Sequence, residues 1–297
     1  MIYSTIYKNS VQLHEIDNLG HMNVQYYLKH CLDSCILNLK INNLISYHSN
    51  IEESFVLEKV NIRYLNEQKL GAPFSIDFYI CKIENDIIQI LQEMENLETK
   101  KISSTFILSF KIKNQINLIK NKFENFLIDC PDKFKMVPSY AEIKGLLDIN
   151  KLKLSYKKLL NYPKIFNTFC GIAKNKDSNN SDTLNAADYM GIVSASVPNL
   201  LMMSNHSISK TNIGGAAVEY EFYFYEFVKT GTCIKLLSGL RNIKNKTYTW
   251  SHWLIDINKE KILAEANAVI VTMDLNKRKS VQIPNKMKVA LEKIILE

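Results

Sequence analysis

The sequence predicts an α+β chain in which an antiparallel sheet of about five strands wraps one long helix, and it predicts that unit twice. Three observations lead there. Residues 23–40, NVQYYLKHCLDSCILNLK, carry Val24, Tyr27, Leu28, Cys31, Cys35 and Leu39 at three- and four-residue spacings, which line up as one apolar stripe along a helix. The segments that follow alternate and are rich in β-branched and aromatic residues, as strands are. The whole order then returns after residue 165, and an internal repeat redefines a fold before any single motif does.

In the first unit the helix is followed by FVLEKVNIRYLN (55–66), APFSIDFYICKIE (72–84), DIIQILQEMENLE (86–98) and KKISSTFILSFKIK (100–113). Short polar breaks separate them, and LNEQKLGAP reads as a turn. The second unit opens with FNTFCGIAK (166–174) and takes its helix from DTLNAADYMGIVSASVPNLLMM (182–203). Its sheet comes from AAVEYEFYFYEFV (216–228), GTCIKLLSGLRNI, KTYTWSHWLIDI and ILAEANAVIVTMD. Gly71 and Gly231 mark matching turns. Aligning the helix starts pairs Asp17 with Asp182, Leu19 with Leu184 and Asn23 with Asp188. Pro198 is expected to kink or shorten the second helix. Between the units, a lysine-rich stretch with Pro131, Pro138 and Pro163 reads as helical segments around a linker, and NKMKVALEKIILE after Pro284 reads as a closing amphipathic helix. The expected boundaries are 1–125, 126–164 and 165–297.

With 297 residues, 46% of them hydrophobic, the chain can build sizeable cores without metal or disulfide support. No stretch approaches the roughly 20 apolar residues of a membrane helix, and the first residues lack the apolar core of a secretory signal, so a cytoplasmic protein with no membrane partner is expected. Six cysteines (Cys31, Cys35, Cys81, Cys130, Cys170, Cys233) form no C-x-x-C pair, which predicts mostly buried thiols and no metal site. A formal charge of +7, with Lys and Arg interspersed among acids, does not demand nucleic acid, while a local basic surface suits a phosphorylated small molecule.

The run HEIDNLGHMNVQYYL (14–28) places Asp17 just ahead of a helix N-terminus, where free N–H groups and the positive end of the helix dipole can face developing negative charge. Attack on a carbonyl group takes a base or nucleophile and a donor for the oxyanion that develops. Asp17 can supply the first. Gly20 permits close approach of the backbone, and the N–H groups from about His21 to Val24 are candidate donors. His21 and Asn23 are placed to orient Asp17 or a water. Tyr26 and Tyr27 are candidates to line a pocket beside this loop, Tyr27 also lying on the core stripe. The plainer alternative is that Asp17 or Asn23 caps the helix.

This run resembles the D-x-x-G-H-x-N-x-x-Y pattern of the 4-hydroxybenzoyl-CoA thioesterase-like branch of the hot-dog superfamily, with Asp17, Gly20, His21, Asn23 and Tyr26 at matching positions. NIRYLNEQKLGAPFSIDFYI and RKSVQIPNKMKVAL (278–291) look like further segments of that family. The resemblance implies a double hot-dog: two repeats forming an internal pseudo-dimer with clefts between the halves, open to further pairing as a homodimer. It implies a thioesterase acting on an acyl-CoA or acyl-carrier-protein thioester, with Asp17 as nucleophile or general base and no cofactor beyond the coenzyme A of the substrate. Lys59, Arg63 and Lys277, Arg278 and Lys279 are candidate contacts for the coenzyme phosphates, with solvated surface as the alternative. Tyr220, Phe222, Phe224, Trp250 and Trp253 are candidates for the far wall of an acyl tunnel, with core packing as the alternative. The second half keeps Asp182 but carries Asn185, Ala186 and Asp188 at the glycine, histidine and asparagine places, which implies a decayed or specialised site. Two other readings stay open: a non-catalytic acyl-thioester binding protein, and a hot-dog enoyl or hydroxyacyl thioester hydratase, whose hydrating motif is not found.

Overall fold

In each half of the chain, the strands form an antiparallel sheet beside a long helix. The computed structural model describes residues 7–113, 116–124, 159–174, 182–205 and 212–296. They divide into two units, Met1–Pro138 and Ser139–Glu297, so the chain parts within the expected linker. Most of that linker, with Cys130, lies outside the described residues.

The first unit runs β1 (Tyr7–Ser10), a 3-10 turn (Leu13–Glu15), α1 (Val24–Ile41), the single turn α2 (Ile51–Ser54), β2 (Phe55–Tyr64), β3 (Pro73–Glu84), β4 (Ile87–Asn96), β5 (Lys101–Ile112) and α3 (Ile116–Glu124). All its strand pairs are antiparallel, in the order β1-β3-β4-β5-β2. Period-two alternation puts Phe74, Ile76, Phe78 and Ile80 of β3 on one buried face, with Ile76 opposite Met94 and Ile80 opposite Ile90 of β4. The stripe of α1 meets that face. Leu28, Cys31, Cys35 and Leu39 are buried, the His30 ring lies 4.9 Å from that of Phe74, and Gln92 of β4 donates to the Cys31 carbonyl at 3.0 Å. Each large apolar side chain so buried contributes about 1.5–3 kcal/mol, enough for the stripe to set the rotation of the helix. Bulges after Leu57, Ile80 and Met94 bend the strands around it.

The second unit runs β6 (Phe166–Ile172), α4 (Ala186–Ser204), β7 (Ile213–Phe224), β8 (Cys233–Ile243), β9 (Thr247–Asp256), β10 (Lys261–Asp274), the short β11 (Lys279–Ser280) and α5 (Asn285–Ile294). Its antiparallel order is β6-β8-β9-β10-β7, with β11 adding to β10. Tyr220, Phe222 and Phe224 stack along β7 with ring centroids 5.8 and 5.5 Å apart, and Tyr189 of α4 sets its edge on Phe224 at 5.7 Å. Trp250 lies on this same face. Trp253 alternates to the other face, where it packs with Leu159, Leu237 and Ile255. All five aromatic candidates for an acyl wall are buried core residues.

Three sequence expectations need correction. Leu159 and Ile165, on either side of the expected linker's end, both pack into the second unit's core, because Leu237, Trp253 and Ile255 form an apolar patch there. Of the two effects expected of Pro198, shortening is absent: the proline sits on the exposed side, and α4 continues to Ser204. Of the thiols, Cys31 and Cys35 are buried as expected, but Cys170 is exposed on the outermost strand, β6.

Candidate active site

The motif loop is built from its own backbone. Ile16 and Met22 form an isolated antiparallel bridge, and the chain reverses inside it, with Asp17 N–H donating to the His21 carbonyl at 2.9 Å and Gly20 N–H to the Asp17 carbonyl at 3.1 Å. Gly20 takes a φ of +84°, a left-handed conformation that a Cβ would strain. One carboxylate oxygen of Asp17, Oδ1, accepts from Leu19 N–H at 2.8 Å and from His21 N–H at 3.4 Å. Asn23 closes the loop as the cap of α1, its side-chain oxygen accepting from Gln25 N–H at 3.0 Å.

A second loop, between β2 and β3, is tied to the first through Gln68. Its carbonyl accepts from Met22 N–H at 2.8 Å, its N–H donates to the Tyr27 hydroxyl at 2.9 Å, and its side-chain oxygen accepts from Asn96 Nδ2 at 2.6 Å. Tyr27 is buried edge-on against Tyr64, and burial pushes its pKa far above the usual phenol range, with Glu67 and Asp17 adding to the rise. The result is a row of three ionisable groups. Asp17 Oδ2 lies 3.3 Å from His21 Nδ1, and Glu67 Oε1 lies 3.4 Å from His21 Nε2. The side chains of Asp17 and His21 are 20% and 14% exposed, recessed yet reachable from solvent.

The same hydrogen bonds decide which backbone donors remain for a substrate. The N–H groups of Gly20, His21, Met22 and Asn23 go to Asp17 O, Asp17 Oδ1, Gln68 O and Glu15 O. Gly20 therefore serves the turn and not an oxyanion. Val24, the first residue of α1, is the one of the expected donors whose N–H has no acceptor among the described residues, and it stands at the positive end of the helix.

Beneath the loop lies a network that the motif does not announce. His30 of α1 faces Glu15 Oε1 through Nε2 at 2.9 Å and the Tyr7 hydroxyl through Nδ1 at 2.7 Å, while Glu15 Oε2 accepts from Gln12 N–H at 2.9 Å. Burial works to raise the Glu15 pKa, but the hydrogen bonds from His30 and Gln12 and the charge of His30 outweigh it and hold the carboxyl below its ordinary value. Burial pushes the Tyr7 hydroxyl up to about 12. Since the Glu15 carbonyl also accepts from Asn23 N–H at 2.8 Å, this buried pair anchors the start of α1. Neither His30 nor Glu67 stood out in the sequence. His30 sits on the helical face that continues through Ser34 and Asn38, and the four-residue spacing of these polar residues was its only signal, their burial being visible only in the structure.

The remaining candidates disperse. Tyr26 is half-buried with its ring 5.6 Å from that of His14. Lys59 and Arg63 alternate with the buried Val60 and Ile62 of β2, so they leave the sheet on the face opposite α1, away from the motif loop. Lys277, Arg278 and Lys279 are exposed at the turn from β10 to β11 in the second unit.

The pairing of Asp17 with Asp182 is overturned by hydrogen bonds common to the two units. Leu184 N–H donates to the Val228 carbonyl at 2.9 Å, Val228 N–H to the Tyr189 hydroxyl at 3.2 Å, and Gly231 N–H to the Ala173 carbonyl at 2.9 Å. These match Met22 with Gln68, Gln68 with Tyr27, and Gly71 with Val11. By that register Asn185 corresponds to Asn23, Thr183 to His21 and Asp182 to Gly20, and the place of Asp17 falls on Asn179, outside the described residues. Asp188 is no site carboxylate either. It closes a capping box with Asn185, at 2.9 and 3.0 Å.

Residues 11–112, which span the motif loop, α1 and strands β2 to β5, match the family model of the thioesterase-like superfamily. No curated protein matches the chain by sequence. Among solved structures, the chain is similar to a 12:0-ACP thioesterase from Umbellularia californica, at 8% identity over 90% of this chain and 96% of that one, with a TM-score of 0.62. An acyl-ACP thioesterase from Bacteroides thetaiotaomicron shares 10% identity over 89% and 96%, with a TM-score of 0.60. A protein with a hot-dog fold from Alicyclobacillus acidocaldarius shares 10% identity over 91% and 96%, with a TM-score of 0.52. At such identities the likeness is one of fold, and the fold is the hot-dog. Among the described residues, no helix of either unit is long and apolar enough to cross a membrane.

Proposed function

We propose that the chain is a tandem hot-dog thioester hydrolase with its working site in the thioesterase-like domain, acting on an acyl thioester of coenzyme A or of an acyl carrier protein. The observation that carries the proposal is the presence, within eight residues, of a recessed carboxylate at Asp17 and of the Val24 N–H that opens α1 without an acceptor among the described residues. Asp17 acts as base or nucleophile. As base it takes a proton from water while the water oxygen bonds to the thioester carbon. The carbonyl electron pair moves onto oxygen, where the Val24 N–H and the helix dipole stabilise it, and collapse breaks the C–S bond and releases the thiolate. The chemistry calls for no metal and no organic cofactor. The family of the first domain supports the reaction class, and the ACP thioesterases that share the fold support the substrate class.

One observation favours a second reading. Asp17 Oδ1 already accepts two backbone N–H groups, so Asp17 also organises its own turn, as it would in a protein that binds acyl thioesters without cleaving them. Thiol release from short, medium, long and aromatic acyl-CoAs and from acyl-carrier substrates, measured beside Asp17→Asn, separates the two. The hydrolase loses roughly 100- to 10,000-fold in turnover on that substitution. Absence of turnover by the native chain on every substrate would reject hydrolysis in favour of binding.

A further inference from the structure

We infer that Glu67 is a positioning residue of this site, holding the His21 ring against Asp17, and that the second unit keeps the same frame without the pair. The inference rests on the hydrolase reading for its catalytic consequence, though not for its geometry. His21 Nε2 is shut off from water and makes no aligned hydrogen bond among the described residues, and Glu67 Oε1 is the acceptor beside it at 3.4 Å. With a carboxylate oxygen beside each ring nitrogen, Asp17 holds one edge of the imidazole and Glu67 the other.

Glu67 reaches that place because its neighbour is immobilised. Gln68 is fully buried and bonded at its N–H, its carbonyl and its side-chain oxygen, to Tyr27, Met22 and Asn96. The Met22 bond ties Glu67's loop to the residue directly after His21. Exposed, at 40%, the Glu67 carboxylate does little for the core. The second unit supplies an internal comparison. Val228 repeats the backbone bonds of Gln68, with Leu184 and Tyr189 as partners, yet the residue before it is Phe227 and the residue before Leu184 is Thr183. Phe227 packs against Tyr189 and Phe224 at 5.4 and 5.1 Å. Where the first unit holds an imidazole between carboxylates, the second holds a hydroxyl and an aromatic ring, so the frame by itself does not require a charged pair.

Two variants and two readouts test this on the full chain, with circular dichroism confirming that each variant folds. Glu67→Ala is expected to lower kcat roughly 10- to 100-fold with KM nearly unchanged, the size of loss that misplacing a reacting group brings. Glu67→Gln keeps an acceptor oxygen at the same reach and is expected to recover most of that loss. Unchanged kcat in Glu67→Ala, a change confined to KM, or equal loss in both variants overturns the inference while leaving the hydrolase reading intact. Carbethoxylation of His21 by diethyl pyrocarbonate, located by peptide fragmentation, needs no turnover. It is expected to run several-fold faster in Glu67→Ala because Nε2 is uncovered, and an equal rate overturns the inference even where the native chain cleaves no substrate.

Discussion

Replacing Tyr27 with Phe removes one oxygen atom and tests whether the Gln68 bridge connects stability to the site. The ring remains, so no cavity opens against Tyr64. What changes is that the Gln68 N–H, 2.9 Å from the hydroxyl in a residue with no exposure, loses its acceptor. An orphaned buried donor costs about 1–3 kcal/mol. At about 2 kcal/mol the melting temperature of the first unit falls by roughly 4–8 °C. Tyr189→Phe is the matched control. It deprives Val228 N–H of its acceptor and the Glu226 carbonyl of a donor, at 3.2 and 2.7 Å, and should cost the second unit a similar amount. The two differ in function. Tyr27→Phe loosens the loop that presents Glu67 and is expected to lower kcat roughly tenfold, whereas Tyr189→Phe leaves it within about twofold. Urea unfolding followed by circular dichroism, together with thiol release at a temperature where both variants are folded, gives the two numbers. Loss of stability below about 0.5 kcal/mol in Tyr27→Phe, or equal loss of turnover in both variants, would refute the reasoning.

Acid and backbone strain provide two further checks. Burial lowers the pKa of His252 to about 3, so between the unfolded value near 6.5 and that figure the unfolded chain binds a proton that the folded chain does not. Stability attributable to this group is complete above pH 6.5 and falls as pH drops, by about 1.4 kcal/mol for each unit down to 3. Urea midpoints measured from pH 7 to 4 should show the slope, and His252→Asn, which can still accept from Ser238, should flatten it. Gly20→Ala adds a Cβ that meets nothing within 4 Å, so its penalty is that of the +84° φ alone, about 1–2 kcal/mol in a denaturation experiment. A larger loss would mean that the loop is packed more tightly than its open surroundings indicate.

Local patterns made the elements legible. The stripe from Val24 to Leu39 is a helix because three- and four-residue spacing leaves no other way to bury it, and it forms Val24–Ile41. Strand alternation placed β2 to β5 to within two or three residues, and Gly71 and Gly231, read as turns from their place between strand segments, both take positive φ. Asp17, His21 and Asn23 were visible as a cluster since they lie within seven residues of one another. Their division of labour was not. Asparagine at that place can orient a water or cap a helix, and only the 3.0 Å contact with Gln25 N–H assigns the cap.

What the sequence by itself determined is whatever depends on near neighbours along the chain: the two long helices, the sheets, the start of α1 and the carboxylate before it. What only the tertiary structure decided depends on residues distant in sequence. Glu67 stands 46 positions beyond His21 in a stretch that reads merely as a turn, and it joins the site because Gln68 is held by Tyr27, Met22 and Asn96 from three separate elements. Glu15 and His30 form their pair across the helix entry, and Lys59 and Arg63 leave it because alternation sends them through the opposite face of β2. The match between the units belongs to the same class. Aligning like with like set Asp182 against Asp17, whereas the backbone bonds set it against Gly20, since hydrogen-bond register is fixed by the geometry of the paired loops and is indifferent to which side chains they carry.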